Sequence, residues 1–379
     1  MIDWNADQVA LRDGLSRWSG ALSAGHVERD ADGSFDEDKW KLIRQTGILG
    51  LPFAEEHGGL GQDLLTTMYV LEGLGEHCRD GGLSFSVTTS MASTGVPLQD
   101  FGRAELKQRY LPRICSGEAI GAHAITEADG GSDALHMRTR AERDGEHFVL
   151  HGSKTFVSNG PVADLMMIYA RTRPDGGALG VTAFLVERGT PGLTVGRPVA
   201  KMGLRTSPLS EVFLDDCRVP AANVVGRVGG GFLVLDHVMK REILFSFIVN
   251  VGEMEHRLRR CIEYARTRTQ FGKPIGSYQA VANRIVDMKI RVETARKWLY
   301  DTAVKLARGE NVTVDMAIAK LLTSEGNLAS GTDAVRIFGG NGYMAEYGLE
   351  KDLRNAVAGT IYSGTNEIQY NRIAAMLGL

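Results

Sequence analysis

The sequence is poor in cysteine and has no long apolar run. Its four cysteines, Cys78, Cys115, Cys217 and Cys261, are widely spaced and form no CxxC pair. This spacing argues against a disulfide framework or a cysteine-rich metal site, and it is typical of buried free thiols in a reducing compartment. No stretch approaches the ~20 apolar residues of a membrane span, and the acidic start MIDWNADQ lacks the layout of a signal peptide. We therefore expect a cytoplasmic protein that is not bound to a membrane and holds no metal.

The sequence also lacks an excess of positive charge. With 43 Lys and Arg against 46 Asp and Glu, the formal net charge is −3, and no basic cluster stands out. A nucleic-acid partner is therefore not expected. Hydrophobic residues make up 43% and charged residues 23% of the 379 residues, as in ordinary soluble globular proteins. A chain of this length can form two or three units with buried cores.

Three regions of the chain differ in periodicity. Residues 1–115 carry apolar residues at helical spacing, as in WKLIRQTGILGL. Residues 116–228 alternate short β-branched and aromatic runs with turn residues, as in HFVLHG and VTAFLVERGTPG. Helical spacing returns in residues 229–379. The long helices expected there cover 232–268, 277–308 and 314–338.

This order of regions predicts an α+β fold. We expect an N-terminal helical domain (1–115), a small middle β-barrel or sandwich domain (116–228) and a C-terminal four-helix bundle (229–379). A dinucleotide-binding α/β fold would instead need alternating strands and helices, with GxGxxG between a strand and a helix. Neither pattern is present in the sequence.

Two motifs of the middle region could hold a polar cofactor. In the loop AITEADGGSD (124–133), glycines allow backbone N–H groups to approach phosphate oxygens, and Thr126 and Ser132 add hydroxyl donors. In KTFVSNG, strand alternation places Phe156 and Ser158 on one face. There one side chain could stack on a flat ring and the other could hydrogen-bond to its edge. Taken alone, either motif could also be an ordinary turn.

Three further motifs lie in the C-terminal region. RTRTQFGK contains Arg268 and Phe271 where a helix turns into a loop, and by itself this run is typical of solvated surface. RIFGGNGY contains Gly339 and Gly340 at a helix end, which is typical of a C-cap followed by a turn. In IYSGTNEIQ, Thr365 is a good N-cap for a short last helix.

The five motifs together, in this order and at this spacing, resemble the acyl-CoA dehydrogenase family across essentially the whole chain. The runs that carry the resemblance are TEADGGSD, KTFVSNG, RTRTQFGKPIGSYQ, FGGNGYMAEYGLEKDLRN and YSGTNEIQ. The resemblance implies a helical–β–helical fold and bound FAD. It also implies a homodimer or homotetramer with FAD at the subunit interface.

The resemblance further implies roles for the motif residues. Thr126 and Ser158 would hydrogen-bond the isoalloxazine ring of FAD, and Phe156 would pack against it. Ser132 would lie near the cofactor phosphates or the pantetheine arm of the substrate. The residues that would hold the ADP half of FAD across the interface are Arg268, Phe271, Gln279, Gly339 and Gly340. The residues that would complete the site at the last helix are Thr365 and Glu367.

The catalytic base is the main departure from the family pattern. In much of the family the position of Ser363 holds a glutamate that acts as the base, and a serine hydroxyl cannot remove a proton from carbon unaided. Glu242 lies among apolar residues at helical spacing, where burial would raise its pKa; alternatively its carboxylate reaches the rim or pairs with an Arg or Lys. Counting back from Phe271, Glu242 falls on the position where isovaleryl- and long-chain-type acyl-CoA dehydrogenases carry their base. We therefore assign the base to Glu242.

A mechanism follows from this resemblance. Glu242 would remove the α-proton of a thioester while a hydride leaves the β-carbon for flavin N5, giving an α,β-unsaturated thioester. Hydrogen bonds to the carbonyl oxygen, from a flavin ribityl hydroxyl and a backbone N–H near Ser363, would stabilise the developing enolate. The residues expected next to the substrate are Ser363, Gly364 and Arg241. The electron acceptor would be an electron-transfer flavoprotein or O2.

The substrate is suggested by the residues around Glu242. Lys240 and Ile243 replace an aspartate and an arginine that are usual in acyl-CoA users, which changes the expected contacts to CoA. Positive charge on Lys240 and Arg241 would suit an acidic carrier protein, although a solvated basic helix face is an equal alternative. GGLSFSV, QFGKPIGSYQAVANRIVDMKIRVE and IYSGTNEIQ resemble the carrier-protein-tethered prolyl dehydrogenases of pyrrole-forming natural-product pathways. Those enzymes also have serine before GTN and glutamate on the earlier helix.

We therefore expect FAD-dependent α,β-dehydrogenation of an acyl or aminoacyl thioester, with a carrier-protein-bound prolyl group as the leading candidate. A short- or branched-chain acyl-CoA dehydrogenase that uses Glu242 is the nearest alternative, and turnover of free CoA thioesters would support it. A flavin-dependent monooxygenase on the same fold would form an oxygenated product. A non-catalytic FAD-binding subunit would retain flavin that no thioester reduces.

Overall fold

The computed structural model describes residues 2–379, and its N-terminal region is helical. The helices of this region are α1 (Ala6–Asp13), α2 (Ser19–Ser23), α3 (His26–Asp32), α4 (Glu37–Thr46), α5 (Leu64–His77), α6 (Gly81–Thr89), α7 (Val96–Phe101) and α8 (Ala104–Cys115). Helix α5 begins where the Asp63 side chain accepts a hydrogen bond from the Thr66 N–H, and most of its residues are buried. Between α6 and α7, residues Ser90–Gly95 form a π-helical segment.

The middle region is a mostly antiparallel sheet, as its alternating pattern predicts. Its strands are β1 (Gly121–Ala124), β2 (Arg140–Asp144), β3 (His147–Ser158), β4 (Leu165–Arg171), β5 (Val181–Glu187), β6 (Leu193–Val195), β7 (Leu209–Pro220) and β8 (Val224–Val225). They are ordered β6–β7–β3–β2–β4–β5–β8, and β1 pairs with β4 in parallel. The β3–β7 register shifts between Lys154 and Val157, which marks a β-bulge at the end of β3.

The two faces of this sheet pack against different hydrophobic cores. On β4, Met167 and Tyr169 belong to the core shared with the helices, whereas Met166 and Ile168 belong to the core of the sheet itself. This is the period of two that a strand buried on both faces must show. The helix-facing side of the sheet is therefore the side that can reach residues of the C-terminal helices.

The C-terminal region consists of long helices, at nearly the predicted bounds. Its elements are α9 (Gly231–Thr267), β9 (Thr269–Gln270), β10 (Lys273–Pro274), α10 (Gln279–Ala307), α11 (Thr313–Phe338), α12 (Gly340–Tyr343), α13 (Leu349–Ala358) and α14 (Asn366–Met376). Helices α9, α10 and α11 pack on one another, and α13 and α14 pack on α11. The other side of α9 packs against α5.

The α5–α9 contact depends on two glycines. A Cβ atom on Gly75 would lie 2.0 Å from the carbonyl oxygen of Val249, and a Cβ on Gly252 would lie 2.0 Å from that of Glu72. No side chain fits at either position without moving the backbones apart. This close approach fixes α9 against the N-terminal region.

Three further properties bear on the expectations from composition. All four cysteines are buried and free, as their spacing predicts. Among residues 2–379, no group of three or more His, Cys, Asp or Glu side chains is arranged to hold a metal ion. Within the same residues, no helix combines the length and hydrophobicity needed to cross a membrane.

Candidate active site

Glu242 lies at the meeting point of four segments of the chain. Its Oε1 accepts a hydrogen bond of 2.6 Å from the Ser363 hydroxyl, and its Oε2 accepts one of 3.1 Å from the Ser93 hydroxyl. The Nδ1 atom of His123 lies 3.3 Å from the same Oε2. The side chain of Glu242 is 15% exposed. Helix α9, the π-helical segment, β1 and the loop before α14 thus each contribute one polar side chain.

The ionisation of Glu242 differs from the sequence-based prediction. Burial alone would raise its pKa, but hydrogen bonding and charge from His123, with the hydrogen bonds from Ser363 and Ser93, outweigh burial and lower the pKa below its usual value. The prediction of a raised pKa was therefore wrong. No Arg or Lys of the described chain lies within 4.0 Å of the carboxylate. The structure therefore does not contain the ion pair with an Arg or Lys that was the alternative.

His123 was not identified from the sequence. On β1 its neighbours Ala122 and Ala124 are fully buried in the core of the sheet, so strand alternation directs His123 to the opposite face, towards α9. Its ring packs edge-on against Tyr169, with centroids 5.4 Å apart. The sequence signal for His123 is a polar residue between two alanines in GAHA, but a strand of four residues is too short to show the alternation of polar and apolar residues.

Ser93 was also missed. It is 1% exposed and lies in the π-helical segment, a distortion that is frequent at functional sites. The segment is tied to β1 at both ends: Ser90 accepts a hydrogen bond from the Gly121 N–H, and the Thr94 hydroxyl donates to the Ala122 carbonyl. These bonds fix Ser93 and β1 relative to each other. The sequence SMASTG has no local signal for a π-helix.

The loop before α14 presents Ser363 in a left-handed conformation. Ser363 and Gly364 have φ angles of 56° and 83°, and the Gln369 amide donates 3.1 Å to the Gly364 carbonyl. Thr365 caps α14 by accepting from the Ile368 N–H, as predicted. Within residues 2–379, the N–H groups of Ser363, Gly364 and Thr365 donate no hydrogen bond. The turn therefore offers backbone donors beside Glu242.

The loop that contains Thr126 is anchored beside β3. The Lys154 ammonium donates 3.0 Å to the Ile125 carbonyl and 2.8 Å to Glu127 Oε1, and the Thr155 N–H donates 2.8 Å to the Thr126 carbonyl. The loop continues directly from β1, which carries His123, so this anchor fixes the position of Thr126 relative to that strand.

Phe156 lies in the bulge of β3, where the extra residue interrupts strand alternation, and Ser158 is the last residue of the strand. Phe156 has a φ of 55° and its side chain is 66% exposed, whereas Val157 between them is fully buried. Asn159, with a φ of 61°, holds the strand end by donating to the carbonyls of Ser86 and Gly121. An exposed phenyl ring on a fixed, strained backbone fits the face of a flat ring system, and the neighbouring hydroxyl fits its edge. Ser132 is exposed on the adjoining loop.

A second set of predicted residues lies far from Glu242 within the chain. Arg268 follows the last residue of α9, about 40 Å along the helix axis from Glu242. Phe271 is 94% exposed at the tip of the β9–β10 hairpin, and Gln279 begins α10 nearby. Gly339 and Gly340 are exposed, with open space where their Cβ atoms would be. A single chain does not bring this set to the Glu242 site.

The positive charge expected beside Glu242 is partly neutralised. Lys240 forms an ion pair of 2.6 Å with Asp236. Arg241 is half-buried, and burial lowers its pKa while the charge of Asp100 opposes this. This weakens the sequence-based interpretation in which Lys240 and Arg241 form a strongly positive surface that suits an acidic carrier protein. Glu367, exposed in the first turn of α14, adds a further negative charge.

A cavity with mixed polar and apolar walls begins one helical turn beyond Glu242. The residues that line it are Gly81, Phe85, Thr88, Leu204, Ser246, Val249, Asn250, Glu253, Asn355 and Tyr362. The hydroxyls of Thr88 and Ser246 lie 3.2 Å apart, and the Tyr362 hydroxyl donates 3.1 Å to Asn250 Oδ1. Tyr362 directly precedes Ser363, so this cavity adjoins the carboxylate.

Comparison with known proteins places these features in a family. Three family models match successive parts of the chain. They are acyl-CoA dehydrogenase, N-terminal domain (residues 5–118), acyl-CoA dehydrogenase, middle domain (122–217), and acyl-CoA dehydrogenase, C-terminal domain (229–378).

Individual relatives agree with this match. An L-prolyl-[peptidyl-carrier protein] dehydrogenase of Pseudomonas fluorescens is 43% identical over 347 residues, which cover 91% of each chain. The solved structure of the prolyl acyl carrier protein oxidase AnaB matches with a TM-score of 0.97 at 39% identity and covers all of both chains. The structure of PigA with FAD and proline matches with a TM-score of 0.96 at 37% identity, covering 100% of this chain and 99% of that one. The chain belongs to the acyl-CoA dehydrogenase family.

Proposed function

We propose that the protein is an FAD-dependent dehydrogenase that oxidises the Cα–Cβ bond of a short acyl or aminoacyl thioester, with a prolyl group on a carrier protein as its substrate. The observation that carries the proposal is the Glu242 carboxylate, which three neighbouring side chains hold beside the Ser363 turn. A carboxylate with a lowered pKa is ionised at neutral pH and is therefore in the form that accepts a proton.

In this proposal Thr126, Phe156 and Ser158 hold the flavin ring. Bound FAD supplies the acceptor for the hydride that leaves the β-carbon. Glu242 takes the α-proton onto its carboxylate, while the hydrogen bonds from Ser93 and Ser363 keep the carboxylate oriented towards the substrate. The product is an α,β-unsaturated thioester.

The turn at Ser363–Thr365 has a separate role in the proposal. Loss of the α-proton places negative charge on the thioester oxygen, and preorganised N–H donors stabilise such charge most effectively. The three N–H groups of this turn have no acceptor within residues 2–379, so they are available to that oxygen.

The substrate is proposed from the relatives and from the cavity. The relatives described above are named as enzymes that act on prolyl groups on carrier proteins. The cavity beside Glu242 carries the hydroxyls of Thr88, Ser246 and Tyr362 and the amide of Asn250. These groups are paired with one another, but their polar character suits a short acyl group with a hydrogen-bonding atom better than a long hydrocarbon chain.

A CoA thioester is the second candidate. It is favoured by the Lys240–Asp236 ion pair of 2.6 Å, which removes part of the positive charge that would attract an acidic carrier protein. Glu242 and its neighbours would act on either thioester in the same way.

We also propose that the protein works as a homodimer or homotetramer. The support is the distance of about 40 Å between Glu242 and Arg268 along α9. A second copy would contribute Arg268, Phe271 and Gln279 to the ADP half of FAD. We place the protein in the cytoplasm, in a natural-product pathway, with an electron-transfer flavoprotein or O2 as electron acceptor.

Anaerobic reduction of the bound flavin tests the function. The purified flavoprotein and its Glu242→Gln variant are mixed with prolyl-carrier protein and, separately, with short acyl-CoA thioesters, and the loss of the oxidised-flavin absorption band is followed. Reduction by the prolyl-carrier protein alone, abolished in the variant, supports the proposal. Reduction by acyl-CoA favours the second candidate, and a variant that reacts as fast as the wild type overturns the role of Glu242.

A further inference from the structure

His123 is a buried titratable residue that the mechanism above does not use, although it lies 3.3 Å from the proposed base. Its side chain is 8% exposed. Its other ring nitrogen, Nε2, is buried and has no hydrogen-bond partner within residues 2–379. The contact with Glu242 is therefore the one polar contact of this ring in the described chain.

The arrangement determines which nitrogen carries the hydrogen. A neutral imidazole has one N–H donor and one acceptor, and its tautomer is inferred from its partners. Beside a carboxylate that only accepts, Nδ1 must donate for the contact to be a hydrogen bond. Nε2 has no acceptor to which it could donate. The tautomer with the hydrogen on Nδ1 is therefore favoured.

The ring has little freedom to leave this position. Ala122 and Ala124 fix the strand on either side of it, and Tyr169 packs against the ring edge-on. Ser90 and Thr94 tie β1 to the π-helical segment that carries Ser93. The two groups that share Glu242 Oε2, Ser93 and His123, are thus held on one rigid unit.

We infer that His123 is a positioning residue that keeps the carboxylate of Glu242 ionised and directed at the substrate. The inference deepens the proposed function and rests on it for its catalytic meaning. Glu242 is a buried acid with no Arg or Lys in contact, so its charge depends on the side-chain donors around it. His123 is the strongest of the three partners that oppose the effect of burial.

Few other titratable groups face Glu242. Tyr169 from β4 and Tyr362 from the loop before α14 both lie near its charge. Burial and the charge of Glu242 raise the pKa of Tyr169 well above its usual value, and burial with the charges of Glu253 and Glu242 does the same for Tyr362. Both tyrosines stay neutral in the acidic and neutral range. The hydroxyls of Ser93 and Ser363 do not titrate there. Among these groups, a substitution of His123 should therefore alter the titration of Glu242 alone.

The first experiment measures the ionisation of Glu242 directly in the flavoprotein without substrate. The carboxyl band of protonated Glu242 is followed by infrared spectroscopy during a pH titration and assigned by its absence in Glu242→Gln. In His123→Phe, which keeps a ring beside Tyr169 but has no donor, we expect the titration to move upward by about one pH unit, the equivalent of one charge-assisted hydrogen bond. In His123→Asn, whose amide can take the place of Nδ1, we expect at least half of that shift to be restored.

The second readout is the pH dependence of anaerobic flavin reduction. Its acidic limb should move with the infrared titration in His123→Phe, while the concentration of substrate that half-saturates the rate changes little. If His123→Phe does not retain flavin, His123→Leu replaces it, since leucine is also apolar and of similar volume. An unshifted titration in a variant that retains flavin would overturn the inference. If the wild type is not reduced by any thioester, the proposed function fails while the infrared titration still decides the role of His123.

Discussion

Two glutamates on helix α9, Glu242 and Glu253, lie three helical turns apart and respond to burial in opposite ways. The pKa of Glu242 is lowered, whereas burial raises the pKa of Glu253 despite the positive charges of Arg257 and Lys351. Glu253 accepts a hydrogen bond of 3.2 Å from Asn250, and no Arg, Lys or His of residues 2–379 lies within 4.0 Å of its carboxylate. Glu242 has three direct polar contacts, from His123, Ser93 and Ser363, and none with an Arg or Lys of the described residues.

The comparison shows that direct contacts to the carboxylate, rather than the charges of more distant Arg and Lys side chains, determine whether a buried acid on this helix is ionised. At Glu253 the negative charge of Asp352 also opposes the two cations. Glu242, with three side-chain donors in direct contact, keeps its charge.

The largest expected effect comes from removing the Glu242 carboxylate. Glu242→Gln keeps the shape of the side chain but cannot accept the α-proton, so flavin reduction by the thioester should slow by about 10²- to 10⁴-fold. Stopped-flow absorbance of the flavin under anaerobic conditions measures this. Glu263→Gln, on the exposed side of the same helix, is the matched control and should react like the wild type. Equal slowing in both variants would point to damage to the helix.

A smaller effect is expected at Ser363. Ser363→Ala removes the 2.6 Å hydrogen bond to Glu242 Oε1, so one carboxylate oxygen loses its donor and the pKa of Glu242 rises. Because the carboxylate also loses a contact that orients it, flavin reduction at neutral pH should slow by about tenfold, the effect of one charge-assisted hydrogen bond, and the raised pKa should shift its acidic limb upward. Ser116→Ala, at the exposed end of α8, should change neither. A wild-type pH profile in Ser363→Ala would mean that His123 and Ser93 alone control the carboxylate.

Glu253 should affect the pH dependence of the free energy of unfolding in the direction opposite to that of Glu242. Because its folded-state pKa is raised above the unfolded value, the folded protein binds the proton more tightly, and the free energy of unfolding falls as pH rises through the window between the two values. Glu242, with a lowered pKa, stabilises the fold above its unfolded pKa, and this contribution is lost as pH falls. Urea denaturation of Glu253→Gln from acidic to neutral pH should therefore show a gain over the wild type that grows with pH. A constant difference would contradict the raised pKa.

The smallest effect is expected at Asn250. Asn250→Ala removes the amide that donates to Glu253, which should raise the pKa of Glu253 further and steepen the fall of stability with pH. The same change leaves Tyr362 without its acceptor, so the Tyr362→Phe variant is measured beside it. If the two variants show the same pH dependence, the loss of the tyrosine partner explains the result instead.

The sequence predicted the long helices and the position of Glu242 for a common reason. Helical periodicity is a local property, and α9 to α11 are long enough to show it over many turns. The surroundings of Glu242 could not be predicted in this way. Its partners Ser93, His123 and Ser363 lie 149, 119 and 121 residues away along the chain. The sign of a pKa shift depends on such contacts. Periodicity placed Glu242 on an apolar helix face and the family resemblance singled it out as the base, but neither could show that its pKa is lowered.

The contact between Gly75 and Gly252 has a consequence for synthesis of the protein in the cell. Helix α5 packs against α9 without room for a methyl group, yet α9 is translated only after the whole middle region. At typical rates of translation, roughly nine to thirty-five seconds separate the two glycines as they emerge. During that time the apolar surface of α5 is uncovered. We expect nascent chains that stop before α9 to require chaperones, and α5 to be the segment that those chaperones protect.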